Sequence, residues 1–511
     1  MITARLATGF CYYRGKENKR ERSERKIRMG RQFENLKPER VFYYFEEICK
    51  IPHGSKNTSQ ISEYVYKVAK ELNCEACKDE SGNVIVIKEA AKGYEASDTV
   101  MLQGHLDMVC EKNAEMKFDF TKDPLPVFVM DDEVFSKGTT LGGDDGIAVA
   151  YILAILEDKT LEHPRLECVF TVDEEIGMIG ASAIDLSNMK SKYLINIDSE
   201  EEGKFLSSCA GGVTSKCSVK VRRVKTSGVK YNMVVCGLTG GHSGTEIDKY
   251  RGNANIIMGR LLHFLGQKHD FSICSLQGGL MDNAISRESN CEILIDEKDC
   301  DVFEGWMDEF ESVIRNEYRA NESNIQIYCE NKGTSTENAL SKKTQERVVF
   351  LLNTIPDGVQ KMSMEIKGLV QTSLNFGIMR LSKDEFSMTA AVRSSIGSEK
   401  KYITSKLQYL TETIGGKYEE RGEYPAWEYK EDSVLREVMI KTYQDMFGKT
   451  PEVLGIHAGL ECGIIAKKIP GIDVVSFGPD IYDIHTPKER LSVPSTERMY
   501  SLLLEVLRRM K

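Results

Sequence analysis

Three short, almost wholly apolar segments constrain the fold of this 511-residue chain more than any other feature. They are TVMLQ (99–103), ECVFTV (167–172) and YLINI (193–197). Their composition is typical of strands that are buried on both faces of a parallel sheet. The segment 146–158, between the first two, has the length and the Ala, Leu and Ile content of a helix. Strands that alternate with helices in this way predict an α/β domain with a mostly parallel sheet.

The pattern changes near residue 211, where strand-like segments such as 232–238 and 386–393 follow one another with fewer helices between them. Sequential strands of this kind pair antiparallel and indicate a separate α+β module. After residue 400, helical and strand-like segments alternate again. We therefore predict one α/β domain interrupted by an insertion. The predicted boundaries are 29–210 for its first part, 211–402 for the inserted α+β domain and 403–511 for its second part.

Charge separates the first 28 residues from the rest of the chain. They contain nine Lys or Arg and three Glu, whereas residues 29–511 contain 59 basic and 75 acidic side chains. We interpret 1–28 as a basic, disordered extension or as translated leader sequence before a start at Met29. The alternative is a tail that binds RNA or another anionic surface. The acidic remainder argues against a nucleic-acid partner, because nucleic-acid binding depends on basic patches.

The apolar and cysteine content indicates a cytoplasmic protein. The longest apolar stretch, 146–156, has about eleven residues against the roughly twenty that a membrane span needs, so we predict no membrane association. A chain of this length can bury a large core and does not need disulfides for stability. We therefore interpret its 14 cysteines as free thiols in a reducing compartment.

Histidine and carboxylate side chains follow several of the predicted buried strands. His105 and Asp107 come after the first strand, Glu174 and Glu175 after the second, and Asp198 after the third. Ligand-binding residues gather at the carboxyl ends of strands in such sheets, so we expect these side chains to lie close together. Two further segments fit the pattern: the glycine-rich GTTLGGDDG (138–146) before the apolar helix, and the region of His485 after a strand at 473–477.

Each of these motifs has a simpler structural explanation when it is taken alone. Asp144 or Asp145 could cap the helix that follows, and the acidic run at 173–175 could be a solvated loop. Taken together, however, they form a set of nitrogen and oxygen donors without a thiolate: His105, Asp144, Glu175, Asp198 and His485. Such a set suits Zn²⁺, with Mn²⁺ or Co²⁺ as substitutes. Five ligands can hold two ions about 3.5–4 Å apart if one carboxylate bridges them.

Six motifs give a family resemblance. QGHLDMV, GTTLGGDDG, DEEIG, INIDSEEE, GGHSG and IHTP occur in family order. The chain thereby resembles the aminoacyl-histidine (Xaa-His) dipeptidase branch of the di-zinc aminopeptidase, carboxypeptidase and aminoacylase metallopeptidases, from about Leu36 to its C-terminus. The resemblance implies hydrolysis of short unblocked peptides, chiefly dipeptides, with two Zn²⁺ ions. It also implies that the inserted domain is a lid and dimerisation domain in a homodimer.

The resemblance also implies individual roles for the metal-site residues. Asp144 would bridge the two ions, His105 and Asp198 would complete one site, and Glu175 and His485 would complete the other. Asp107 would orient His105. Glu174 would be the general base that activates the attacking water and returns the proton to the leaving amine.

Substrate contacts are implied in the same way. His242 would polarise the scissile carbonyl, often across the dimer interface. Asn283 and Arg393 would hold the substrate carboxylate, and the backbone of Gly459 would lie near the free end of the peptide. Considered as single residues, His242 could equally be a turn histidine and Arg393 part of a surface ion pair.

Two questions stay open at this point. The family usually has Asn after the bridging Asp, with a cis peptide bond between them, whereas this chain has Asp145. The consequence for metal preference does not follow from the sequence.

A tripeptidase or an N-acyl amino-acid hydrolase of the same superfamily is the alternative activity. A non-catalytic metal- or peptide-binding protein is the alternative of another class, but it would require the loss of a ligand or of Glu174, and all of them are present.

Overall fold

The structure is a computed structural model, and it describes residues 31–511. The predicted basic extension, residues 1–28, lies outside the described residues. Within them, none of the helices combines the length and the apolar character that crossing a membrane requires. The 13 cysteines among residues 31–511 are all free thiols.

The first sheet has eight strands and carries the predicted metal ligands. In spatial order its strands are Glu75–Lys78, Val84–Lys88, Leu166–Thr171, Val100–His105, Tyr193–Asn196, Asp473–Ser476, Lys204–Cys209 and Glu452–Ile456. The four strands from Leu166–Thr171 to Asp473–Ser476 run parallel. The prediction of an α/β fold with a mostly parallel central sheet is therefore confirmed. It also follows that the carboxyl ends of these four strands share one edge.

Both faces of this sheet are covered, which explains why its central strands are apolar throughout. Val100 and Leu102 pack into the core on one face, whereas Met101 between them packs into the core on the other. The helix Gly143–Glu157 lies in the first of these cores, and all of its residues from Gly143 to Leu156 are buried. A helix that is apolar on all sides is stable in water only when it is enclosed in this way.

The second sheet is antiparallel and has its own core. Its strands, in spatial order, are Gln326–Leu340, Arg223–Cys236, Ser289–Ile295, Phe271–Gly278, Val370–Leu381, Glu385–Ser394, Gly211–Lys220 and Lys417–Tyr424, with Gly358–Met362 paired to Val370–Leu381. The sheet thus begins at residue 211, as expected for the inserted domain, but its last strand lies beyond residue 402. The division into domains stays a prediction that this two-sheet arrangement supports.

Two small sheets complete the strand pairing. Val127–Met130, Glu133–Ser136, Ile481–Tyr482 and Arg490–Ser492 form a four-stranded sheet. Gly241–His242 pairs with Ala284–Ile285. The first of these sheets holds the segment of His485 beside the glycine-rich loop 138–146, and the second holds His242.

The α-helices in residues 31–511 cover the sheets. They are Glu39–Cys49, Ser59–Glu71, Gly143–Glu157, Ile179–Ala183, Ala254–Lys268, Cys300–Glu317, Lys342–Thr354, Gly397–Thr413, Val434–Phe447, Glu461–Lys468 and Val493–Arg509. Glu39–Cys49 and Val493–Arg509 join Gly143–Glu157 in the core of the first sheet. Ala254–Lys268 contributes to the core of the second sheet.

Candidate metal centre

His105 is the last residue of its strand, and its ring is buried at the carboxyl edge of the sheet. Nδ1 lies 2.8 Å from the backbone oxygen of Asp107. Because a carbonyl oxygen only accepts hydrogen bonds, Nδ1 carries a proton, and Nε2 of the neutral ring offers its lone pair. Nε2 lies 3.1 Å from Oδ1 of Asp144 and 3.7 Å from Oδ1 of Asp198. The ring therefore presents a ligand atom to two carboxylates.

Asp107 holds His105 mainly through its backbone, since its carboxylate lies 3.6 Å from Nδ1. That carboxylate accepts hydrogen bonds from the backbone N–H groups of Glu174, at 2.9 Å, and Glu175, at 3.3 Å. It also accepts one from the hydroxyl of Ser55, at 2.8 Å. Asp107 thus fixes the loop that carries Glu174 and Glu175, in addition to the role that the resemblance implies.

Asp144 lies between the two histidines. Its Oδ1 faces Nε2 of His105, and its Oδ2 lies 3.1 Å from Nε2 of His485. The peptide bond to Asp145 is cis, and both aspartates have non-helical φ and ψ at the start of the helix. Gly142 is the N-cap residue, and no side chain caps the helix. The helix-cap interpretation of the two aspartates is therefore wrong.

The donor atoms form two groups that share Asp144. His105, Asp144 and Asp198 make one, and Asp144, Glu175 and His485 make the other, with the ligand atoms of each group within 4.8 Å of one another. Oε1 of Glu175 is buried and lies 3.0 Å from Nε2 of His485, yet it accepts no hydrogen bond from residues 31–511. Buried polar atoms are normally satisfied, so an unpaired carboxylate oxygen aimed at another donor atom fits metal ligands. The residues therefore fit two divalent cations that share one carboxylate.

The electrostatics of the cluster support the same conclusion. A hydrogen bond to Asp144, together with the nearby carboxylate of Glu175, raises the pKa of His485 to about 10. Burial, together with the neighbouring charge of Asp145, raises the pKa of Asp198 well above its usual range. Burial also raises the pKa of Glu174 to about 8, and the nearby carboxylates of Glu461 and Glu175 add to the effect. Negative charge crowded in a buried site is stabilised by bound cations.

Asp145, the residue that departs from the family pattern, belongs to neither of the two groups that share Asp144. Its Oδ2 accepts a hydrogen bond from the backbone N–H of His105 at 3.0 Å. The side chain is buried, and burial raises its pKa well above the usual range. An Asn side chain could accept the same hydrogen bond through its carbonyl oxygen.

We expect the substitution Asp145→Asn to leave two ions bound per chain and to change kcat/KM by no more than about tenfold. The reason is that Asn keeps the hydrogen bond to His105 and removes only a buried acid that is not a proposed ligand. Metal analysis of the purified protein and a peptide hydrolysis assay check this. Loss of one ion would contradict it and would make Asp145 a ligand.

A buried polar network lies below the ligands and was not predicted from the sequence. Oε2 of Glu461 accepts hydrogen bonds from Gln103 Nε2, at 2.5 Å, and from Thr171 Oγ1, at 2.6 Å. Oε1 of Gln103 accepts one from Asn196 Nδ2 at 2.6 Å. The network joins the three strands that precede the ligands His105, Glu175 and Asp198. Polar residues inside otherwise apolar strands were the signal that could have revealed it.

Of the predicted substrate residues, Arg393 lies in the second sheet, and His242 lies in the small sheet that pairs Gly241–His242 with Ala284–Ile285. Nδ1 of His242 accepts hydrogen bonds from the backbone N–H groups of Gly244 and Thr245, both at 3.3 Å. The ring proton therefore sits on Nε2, which leaves that N–H free to donate. Asn283 is exposed, and its backbone oxygen accepts a hydrogen bond from Ser243.

Arg393 and Gly459 are brought together by Tyr424, which the sequence did not single out. Nη1 of Arg393 donates to the Tyr424 hydroxyl at 2.9 Å, and Nε of Arg393 is buried without an acceptor. A Cβ at position 459 would lie 2.7 Å from the Tyr424 ring, so only glycine fits there. Arg393 makes no salt bridge to a carboxylate in residues 31–511, so the surface ion-pair interpretation is wrong.

Two predicted substrate residues, His242 and Arg393, are not joined to the metal cluster. Within residues 31–511, neither makes a hydrogen bond or salt bridge to a proposed metal ligand. Burial, followed by the charges of Arg393 and His242, lowers the pKa of His457 to about 3. The structure thus brings the five proposed ligands together and joins neither of these two substrate residues to them.

Comparisons with known proteins agree with this geometry. The sequence profile of peptidase family M20/M25/M40 matches residues 101–509. The cytosol non-specific dipeptidase of Escherichia coli (strain K12) is 37% identical over 475 residues, which are 93% of this chain and 98% of that protein. The crystal structure of an aminoacylhistidine dipeptidase from Vibrio alginolyticus superposes with a TM-score of 0.89 at 32% identity, covering 95% of this chain and 99% of that one. A tripeptidase from Staphylococcus aureus shares the fold at 16% identity, with a TM-score of 0.53 and coverage of 93% and 99%.

Proposed function

Because the chain belongs to peptidase family M20/M25/M40, it is a metallopeptidase, and we propose that it hydrolyses short unblocked peptides, chiefly dipeptides and Xaa-His among them. We propose two Zn²⁺ ions as its cofactors, with Co²⁺ or Mn²⁺ as substitutes. The name of the Vibrio alginolyticus relative supports the Xaa-His preference. The name of the Escherichia coli relative supports a location in the cytoplasm.

One observation carries the proposal: the two carboxylate oxygens of Asp144 face different histidines. Each lies 3.1 Å from the Nε2 atom of its histidine, one in the group with Asp198 and the other in the group with Glu175. A shared carboxylate between two sets of nitrogen and oxygen donors is what a two-ion hydrolytic site needs. The supporting sequence identity extends over almost the whole chain.

Glu174 is the proposed general base. Its carboxylate lies within 4.8 Å of ligand atoms of His105 and Glu175, so it borders the space that the two groups enclose. When bound in the groups that share Asp144, divalent cations would lower the pKa of the attacking water and polarise the peptide carbonyl. Glu174 takes the proton of the attacking water and then passes it to the leaving amine. Asp107 positions Glu174 for this proton transfer, because its carboxylate accepts a hydrogen bond from the backbone N–H of Glu174.

The other proposed residues select and orient the substrate. Nε2–H of His242 donates to the carbonyl oxygen as negative charge develops on it. Arg393 and Asn283 bind the free carboxylate of the peptide, and Arg393 suits the task because its planar guanidinium can bind a carboxylate through two hydrogen bonds. The backbone of Gly459 lies beside them. An anchored carboxylate excludes long peptides, since the chain would have to continue where Arg393 lies.

A substrate panel tests the proposed activity. The purified protein, loaded with Zn²⁺, is incubated with Ala-His, Ala-His amide, a tripeptide and an N-acetyl amino acid. We expect Ala-His to be cleaved fastest and the amide more slowly, because the amide offers Arg393 no carboxylate. Survival of Ala-His together with cleavage of the acetylated substrate would instead establish an N-acyl amino-acid hydrolase. Fastest cleavage of the tripeptide would establish a tripeptidase.

We also propose that the protein is a homodimer in which His242 serves the active site of the partner subunit. Within residues 31–511 His242 makes no hydrogen bond or salt bridge to a proposed metal ligand of its own chain, and this supports the proposal. Mixing the variants His242→Ala and Glu174→Gln tests it, because each is expected to be inactive alone. Random re-association restores up to about a quarter of the active sites, since one site of each mixed dimer then has both residues.

The control for the mixing experiment is the same pair of variants kept separate through the same dissociation and re-association steps. Recovery of activity only in the mixture supports the shared site. A mixture that forms mixed dimers but stays inactive would show that His242 acts within its own chain. Size-exclusion chromatography with light scattering measures the dimer itself.

A further inference from the structure

Glu489 is a buried carboxylate that holds the loop of the shared ligand. Its side chain is 2% exposed. Its Oε2 accepts hydrogen bonds from the backbone N–H groups of Leu141, at 2.7 Å, and Gly142, at 3.1 Å. Its Oε1 accepts hydrogen bonds from the backbone N–H groups of Gly143, at 2.8 Å, and Asp144, at 3.3 Å. Four consecutive N–H groups thus converge on one side chain.

The glycines of this loop make the arrangement possible. Gly142 has a φ of 69°, and a Cβ there would lie 2.9 Å from the sulfur of Met108. A Cβ at Gly143 would lie 3.3 Å from Oε1 of Glu489 itself. Successive N–H groups in such a loop form a concave site for an anion. Glu489 supplies that anion from within the chain, and hydrogen bonds of this charged type are roughly twice as strong as neutral ones.

Glu489 also fixes the segment of the second histidine ligand. It lies four residues after His485, and its backbone N–H donates to the carbonyl oxygen of Thr486 at 3.1 Å. The strand Arg490–Ser492 follows at once and pairs with Glu133–Ser136, which precedes the glycine-rich loop. Asp144 and His485 are 341 residues apart in sequence, and the Glu489 side chain connects their two segments directly.

We propose that Glu489 is a positioning residue that sets Asp144 against His485 and thereby determines how tightly the group Asp144, Glu175 and His485 holds its divalent cation. The inference rests on the proposed two-ion function. It assigns Glu489 no contact with substrate. The group His105, Asp144 and Asp198 depends less on Glu489, because His105 and Asp198 lie at the ends of strands of the central sheet.

The test is Zn²⁺ binding to the full-length protein after its metals have been removed, with competition against a chromophoric chelator. In Glu489→Gln an amide nitrogen replaces one carboxylate oxygen and faces two N–H groups, so two of the four hydrogen bonds are lost. We expect the Kd of one of the two ions to rise by about 10- to 100-fold, as for other residues that support metal ligands. The Kd of the other ion should change by less than about threefold.

Glu167→Gln is the matched control. Glu167 is also fully buried and accepts the backbone N–H groups of Lys190 and Ser191, but at the opposite end of its strand from Glu174 and Glu175. Thermal unfolding of the metal-free proteins compares the stability of the two variants. We expect Glu167→Gln to lose stability without a change in either Kd. If Glu489→Gln does not fold, the same measurements are made on Glu489→Asp. Aspartate keeps the charge, but its side chain is one methylene shorter.

The outcomes separate this inference from the proposed function. A folded Glu489 variant that keeps both affinities, or one that loses both ions equally, overturns the positioning role. An equal rise in the Kd for Zn²⁺ in Glu167→Gln would overturn it as well. Wild-type protein that binds fewer than two ions overturns the proposed function as well. Selective loss of one ion in the Glu489 variant alone supports the inference.

Discussion

Replacing Glu174 with Gln is expected to lower kcat for Ala-His by about 100- to 10,000-fold while two ions stay bound per chain. Glutamine has nearly the same shape but cannot accept a proton, and loss of a general base costs about 100- to 10,000-fold in rate. The metal content should be unchanged, because Glu174 belongs to neither group that shares Asp144. Steady-state kinetics and metal analysis on the same preparation measure both quantities.

Glu201→Gln is the matched control for this prediction. Glu201 lies in the acidic segment that follows Asp198, and its side chain is 64% exposed and paired with Lys204. We expect its loss to change kcat by less than about threefold, because exposed ion pairs contribute at most about 1 kcal/mol. A Glu174→Gln variant with wild-type kcat would show that another group activates the water. Loss of an ion in that variant would make Glu174 a ligand.

The second large effect is expected for Asp144→Ala, which removes the ligand that both groups share. We expect both ions to bind much more weakly and kcat/KM to fall by at least about 1000-fold, equivalent to about 4 kcal/mol at the transition state. His485→Ala, in contrast, removes a ligand from only one group and should release one ion. Metal analysis after dialysis, followed by kinetics at a fixed low Zn²⁺ concentration, distinguishes the two variants.

Asp145→Asn, from the same loop, is the comparison for this prediction, and it should keep both ions. If Asp144→Ala instead retained one tightly bound ion, the two groups would be independent sites without a bridging carboxylate. Treatment of the wild-type protein with a strong chelator gives a second check. The treated protein should lose activity and regain it with Zn²⁺, because metal ligands that are brought together by the fold remain in place.

Local patterns were sufficient to predict the central strands and to propose the ligands. The strands that lead to His105, Glu175 and Asp198 are buried on both faces, so each appears in the sequence as an unbroken apolar segment. A charged residue directly after such a segment is conspicuous, because it would be costly to bury without a partner. The long apolar helix was recognised for the same reason, and its observed bounds, Gly143–Glu157, differ by three residues or fewer from the prediction.

One edge strand of the second sheet was not predicted from the sequence. The strand Lys417–Tyr424 forms one edge of the second sheet, and most of its side chains are exposed. Its sequence, KYEERGEY, therefore lacks the apolar period that marks a buried strand. For that reason the strand was not among those predicted for the inserted domain, whose predicted end at residue 402 precedes it.

The sequence by itself determined which residue types stand at the ends of the buried strands, and with them the donor set His105, Asp144, Glu175, Asp198 and His485. Only the tertiary structure decided which donors face each other, that Asp107 holds the loop of Glu174, and that Glu489 holds the loop of Asp144. The physical reason is that a buried segment consists of apolar residues, so it is recognisable from its local sequence. Hydrogen bonds between residues hundreds of positions apart depend on chain geometry, which no local pattern contains.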